Sequence, residues 1–280
     1  MSGRKMMGVT VVLALIFLFG LGFQAFATEI RIGVAMGLSG PPAIVDFAEA
    51  AMQGIKMAVK EYNTNGGCKG QPVKLLVYDD ESNPKRAVEI ATRLITHDKV
   101  VAMMGTVNSG NVLAFMHLNQ QHRIPLMAGP SIASPITDRY QKEAKNYIFR
   151  GSMREEYQIN AILDYAVKKS KKIALIHSTT GYGMFAREEL VKGMKARGRE
   201  FLAIEALTVG GGDSTSPMLK IKNAGSEVVL VFAEDTDIIG KVRSKLNYHP
   251  LIIGNWGLSG YKTFNLVGKP LICRIPRKEP

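Results

Sequence analysis

The stretch MMGTVNSGNVLAFMHLN, residues 103–119, decides how the rest of the chain is read. Residues 100–104 are apolar and end at Gly105. Thr106, Asn108 and Ser109 come next, all good helix-capping types. Apolar positions then recur at helical spacing, so the stretch reads as strand, turn and helix start. A helix start leaves backbone N–H groups without intrahelical acceptors and carries partial positive charge. With hydroxyls and a glycine beside it, this start is a seat for an anion such as a carboxylate. An ordinary strand-to-helix cap uses the same residues, so the neighbouring sequence has to decide.

The same rhythm extends on both sides. Upstream, residues 29–38 read as a strand and 45–62 as a helix with Ala51, Ile55, Ala58, Val59 and Tyr62 on one face. Residues 73–78 form a second strand closed by Asp79, Asp80 and Glu81, and Pro84 opens a second helix. Downstream, 124–128 is a strand running into Gly129-Pro130-Ser131. From Tyr147 the pattern restarts, with strands at 147–150, 172–177, 201–207, 228–232 and 251–253. Helices are expected at 157–167, 185–196, 218–224 and 238–246. Strands alternating with helical stretches are the signature of parallel βαβ units. The fold class is therefore α/β, with two Rossmann-like lobes built on parallel sheets and joined by hinge strands. Lobe one is expected over 28–148, lobe two over 149–250, and a return hinge with an atypical tail over 251–280. In open α/β sheets ligands sit beyond the carboxyl ends of strands. That singles out the loops holding Ser39, Asp79, Ser109, Ser131, Tyr182, Glu234 and Trp256.

The first 27 residues stand apart. Arg4 and Lys5 precede an apolar run from Val9 to Phe23 and an Ala25-Phe26-Ala27 site, the layout of a cleavable export signal. A periplasmic protein is expected. The formal charge of +12 falls by two when that segment is removed. The remaining basic runs, 168–172 and 192–199, fall on helix ends and read as solvated surface. No aromatic-basic motif points to nucleic acid. Cys68 and Cys273 show no metal spacing and stand as two thiols that an oxidising compartment could join. A monomer without metal or cofactor is expected.

Taken in order, Ile32-Gly33-Val34, Leu38-Ser39-Gly40-Pro41, Gly54 with Ala58-Val59, residues 63–67, Tyr78-Asp79-Asp80, Pro84 and Tyr182-Gly183 resemble the periplasmic leucine/isoleucine/valine-binding proteins. These are the type I solute-binding proteins of ABC importers. The resemblance covers about residues 29–268. It implies two lobes that close on a small solute and pass it to a membrane permease. It places the carboxylate-holding serine at Ser109, the next ligand loop at Ser131, Ile132 and Ala133, and a second-lobe ring at Tyr182. Binders of branched amino acids have a threonine where this chain has Ala133. Their first-loop aromatic falls near Val45, and a later second-lobe aromatic falls near Glu234-Asp235. Their acid for the substrate ammonium falls on Trp256. A buried ammonium without a carboxylate partner is costly. Either Glu234 or Asp235 takes that role, or the ligand lacks the amine and meets flat walls at Trp256 and Tyr182. The tail after Val267 does not resemble the family, so a truncated first lobe is expected.

Each site residue has a plainer reading. Ser109 caps a helix, Ser131 makes a turn before Pro135, Tyr182 and Trp256 pack in their own lobe, and Asp79 and Asp80 cap a loop. His177 ends an apolar strand and reads as structural. Enzyme readings fail for want of a nucleophile–base pair: Gly33, Gly37 and Gly40 miss the dinucleotide spacing, and Gly210-Gly211-Gly212 lacks a phosphate-loop lysine. The sequence thus points to a substrate-binding component of an importer for a branched-chain or other amino acid, or a related apolar or aromatic carboxylate. A sensory ligand-binding domain and a non-binding fragment are the alternatives.

Overall fold

The computed structural model describes residues 29–209, 214–234 and 245–259. The expected export-signal segment, Asp235, most of the helix expected over 238–246, Gly210-Gly211-Gly212, Cys273 and the tail lie outside the described residues.

Five strands make the first sheet: β1 Ile30–Met36, β2 Val73–Asp79, β3 Ala102–Met104, β4 Leu126–Ala128 and β5 Ile148–Arg150. Their order is β2-β1-β3-β4-β5, parallel throughout. Four more make the second sheet: β6 Ile173–Ser178, β7 Ala203–Leu207, β8 Val228–Phe232 and β9 Leu251–Gly254, in the parallel order β7-β6-β8-β9. Leu251–Gly254, expected to begin the return hinge, is thus the fourth strand of the second sheet, with Val228 opposite Leu251. At the other boundary, Phe149 and Arg150 extend the first sheet beside Met127 and Ala128.

The helices are α1 Pro42–Thr64, α2 Pro84–Thr96, α3 Ser109–His122, α4 Pro135–Asp138, α5 Glu155–Lys169, α6 Gly181–Ala196 and α7 Thr215–Asn223. Their apolar faces explain the layering. Ile90, Leu94, Phe115 and Met116 of α2 and α3 pack with Ala35, Met103 and Leu126 on one face of the first sheet. Ile44, Ala48 and Met52 of α1 cover Val34 and Met36 on the other. Full burial of one such side chain contributes roughly 1.5–3 kcal/mol. In the second sheet every residue of β6 and β8 is buried, as central parallel strands covered on both faces require.

Both sheets share one consequence of parallel winding. β1 and β3 are neighbours in the first, β6 and β8 in the second, and the chain leaves each pair toward opposite sides. The crevice at such a switch point is where this architecture holds ligands.

Candidate functional site

The loops after β1, β3, β4, β6, β8 and β9 converge on one cleft, whose space, open mouth included, is about 420 Å³. The first lobe contributes Ala43, Ile44, Phe47, Val107, Asn108, Ser109 and Ile132 to its walls. The second contributes Tyr182, Ala233 and Glu234, with Asn255 and Gly257 after β9.

On the first-lobe side the chain needs Gly105. Its φ is +120°, and a Cβ there would lie 1.8 Å from the Ala35 carbonyl oxygen. β3 can therefore turn away only beside β1 and only at a glycine. Asn108 caps α3, its Oδ1 accepting from the Gly110 N–H at 2.8 Å. Because Asn108 takes that task, the Ser109 hydroxyl is released from capping. Its Oγ accepts from the N–H groups of Ile132 and Ala133, at 3.2 and 3.3 Å. Ser131 is fully buried and donates its hydroxyl to the carbonyls of Thr106 and Val107, the latter at 3.2 Å. Arg150 completes the fixation, with Nη1 donating to the carbonyls of Ile132 and Ala133 at 2.9 and 3.0 Å. Loop 131–133 is thus held by both its amides and its carbonyls.

The second-lobe side starts at Thr180. Its Oγ1 accepts from the Gly183 N–H at 3.3 Å and donates to Glu234 Oε1 at 2.6 Å. Gly183 is required, since a Cβ there would sit 2.2 Å from Ser178 Oγ and 2.3 Å from the Ser178 carbonyl oxygen. This cap starts α6 at Gly181, four residues earlier than hydrophobic periodicity suggests, and puts Tyr182 in the first turn rather than in a loop. The Tyr182 hydroxyl accepts from Asn255 Nδ2 at 2.6 Å, and Asn255 Oδ1 accepts from the Gly257 N–H at 2.9 Å. Near the Tyr182 hydroxyl lies Glu155, fully buried. Burial chiefly, with the negative charges of Glu189 and Glu234, pushes its pKa up to about 8 against the pull of the Tyr182 hydroxyl and Arg150. Burial, and then Glu155, likewise push the Tyr182 phenol well above its ordinary range.

The eight residues expected from sequence divide cleanly. Ser109, Ile132, Tyr182 and Glu234 line the cavity together. Ser131 and Ala133 do not: Ser131 faces backbone carbonyls, and Ala133 is in the first-lobe core. Trp256 lies in a short 3-10 turn, Trp256–Ser259, between the cavity residues Asn255 and Gly257. Asp235 lies outside the described residues. Asp79 is a loop brace, its Oδ1 accepting from the N–H groups of Leu38, Ser39 and Glu81. The first-helix aromatic at the cavity is Phe47, two residues past Val45. Asn255 and Arg150 carried no motif, since their roles come from strands distant in sequence. Among the described residues no group of three metal-ligating side chains assembles, and no helix is long and apolar enough to cross a membrane.

Two parallel α/β lobes meeting over an apolar cavity with a few convergent polar groups define a small-solute binder. The chain belongs to the periplasmic binding protein family, whose pattern it matches over residues 29–243. It is 27% identical to Leu/Ile/Val-binding protein homolog 3 of Brucella melitensis, over 94% of this chain and 71% of that one. It spans less of other curated relatives, 55% and 59% of their lengths. Among solved structures, it superposes on the branched-chain amino acid transporter substrate binding protein LivJ of Streptococcus pneumoniae, in complex with isoleucine, with a TM-score of 0.74. That match has 23% identity and covers 86% of this chain and 68% of the other. A solute binding protein of an ABC transporter from Rhodopseudomonas palustris, in complex with 3,4-dihydroxybenzoic acid, matches with a TM-score of 0.69. Here identity is 21%, with 81% and 61% of the chains covered. At these identities the solved structures establish the fold.

Proposed function

We propose that the chain receives an α-amino acid with an apolar side chain and serves an ABC importer, delivering it to a membrane permease from the periplasm. One observation carries this reading: the polar groups of the cavity sit on opposite lobes and have opposite character. The first lobe offers the start of α3 and the Ser109 hydroxyl, which suit a carboxylate. The second offers the Glu234 carboxyl group, which suits an ammonium. Ala43, Ile44, Phe47, Val107, Ile132 and the Tyr182 ring supply apolar contact between them. Among the described residues no lysine or arginine lines the cavity, which suits an anion held by amides and hydroxyls. The carboxylate docks first on lobe one, and lobe two adds its contacts on closure. That differential contact shifts the open–closed balance.

Calorimetry with L-isoleucine, L-leucine and 3,4-dihydroxybenzoate tests the reading. The amino acids are expected to bind, and Glu234→Gln to weaken them by tenfold or more, the loss of one charge-assisted hydrogen bond of about 1.5–3 kcal/mol. Binding of the benzoate alone, or amino-acid affinity indifferent to Glu234→Gln, overturns it.

A further inference from the structure

We propose that Gly110 and Gly181 form the contact at which the two lobes stop closing, and that this contact tunes affinity without touching the solute. The inference rests on reading the chain as a two-lobed clamp. Gly110 is the second residue of α3 and Gly181 the first of α6, so each adjoins a cavity wall, Ser109 or Tyr182. The two helix starts abut, backbone on backbone. A Cβ on Gly181 would lie 3.4 Å from Gly110 Cα, and one on Gly110 would lie 3.6 Å from Gly181 N and 3.7 Å from its Cα. A methyl group on Gly181 fits that gap at ordinary contact distance, and one on Gly110 needs only a small shift of Asn108 Oδ1, 3.1 Å away; a longer side chain drives its outer atoms into the opposing helix. Four residues on, and so on the same face of α6, Phe185 packs against the first-lobe core. The seam between lobes is thus glycine at the cavity and phenylalanine behind it.

Charge links this seam to occupancy. Both helix starts carry partial positive charge, so bringing them together is unfavourable in the empty protein. A solute carboxylate in the adjoining cavity offsets that repulsion only when the lobes are shut. Closure is therefore favoured by the solute and limited by the glycine pair.

Cysteines at both positions, Gly110→Cys with Gly181→Cys, test the contact in the full exported chain carrying Cys68→Ser and Cys273→Ser. Their spacing is within reach of a disulfide. Mild oxidation is expected to form the bond, read by intact mass, and L-isoleucine to speed it. A folded protein, judged by circular dichroism, that forms no bond with or without isoleucine overturns the proposal. A bond that forms at the same rate in both conditions upholds the contact and counts against the amino-acid reading instead. For affinity, Gly181→Leu is expected to weaken isoleucine binding about tenfold and Gly181→Ala less than about twofold, the difference a wedge in the closed state produces. Equal affinities for those two variants overturn the tuning role.

Discussion

Two strand-to-helix junctions face each other across the cavity, β3 into α3 and β6 into α6. Each has a polar cap, a glycine with no room for a side chain, and a first turn on the cavity wall. They differ in what their hydroxyls hold. At the first, Ser109 and Ser131 satisfy backbone groups, so the junction and loop 131–133 form one self-contained brace. At the second, Thr180 holds an acid, Glu234, and a second acid, Glu155, is buried near the Tyr182 hydroxyl. The lesson is a division of labour. The hydroxyls of one junction meet backbone groups, and the hydroxyl of the other meets an acid.

The strongest way to break this contrast is Glu155→Gln. The folded pKa of Glu155 is raised from 4.5 to about 8. Between those values the folded state binds more protons than the unfolded one, so stability falls as pH rises from about 4.5 to 8. Each unit corresponds to about 1.4 kcal/mol, which makes the whole effect a few kcal/mol. Glu155→Gln removes this titration. Urea melts from pH 4 to 9 are expected to show the variant gaining on the parent as pH rises, by a few kcal/mol at pH 8 relative to pH 4. The slope is the readout, because a buried amide carries its own penalty at every pH. Parallel curves would mean that Glu155 finds partners that keep its charge.

The first junction answers differently. Ser109→Ala leaves the Ile132 and Ala133 N–H groups buried without an acceptor, since the loop has no room to turn them to solvent. An expected loss of about 2 kcal/mol follows from the usual penalty of 1–3 kcal/mol for such groups. It should be nearly constant from pH 5 to 9, unlike the Glu155 effect. A stability unchanged within about 0.5 kcal/mol, by the same melts, would detach Ser109 from the brace.

The sequence made the two lobes legible because parallel strands covered on both faces must be continuously apolar, as β6 and β8 are. Gly105 was visible for a related reason, as a break between an apolar strand and a capping cluster. The roles of the serines were not. A serine near a helix start caps, binds a ligand or braces a loop with the same atoms, and only the position of loop 131–133 shows that Ser109 braces a loop while it lines the cavity. Tyr182 was legible as a ring near the cleft but not as a first-turn residue, because the cap at Thr180 overrides the hydrophobic period. Glu155 gave no signal, since an acid at a helix start is ordinary on the surface and here happens to be sealed under the opposite lobe's loop, with its N–H bonded to the Ile132 carbonyl at 2.9 Å.

The caps themselves sharpen the comparison at the smallest scale. Asn108 caps α3 at 2.8 Å, whereas the bond from the Gly183 N–H to Thr180 is long, at 3.3 Å, and the shorter contact of Thr180 is to Glu234 at 2.6 Å. Asn108→Ala should therefore act mainly on stability, by about 1 kcal/mol, the ordinary worth of a cap. Thr180→Ala should cost less than that in a melt and act mainly on solute binding. Without the hydroxyl, Glu234 loses a donor that helps to orient it, and an ammonium partner held a little out of line is expected to bind a few-fold more weakly. Thr180→Ser keeps the hydroxyl and should restore L-isoleucine affinity in calorimetry. If serine fails to restore it, the link from α6 to Glu234 runs through the threonine methyl and its packing, and the charged character of the second junction does not depend on its cap.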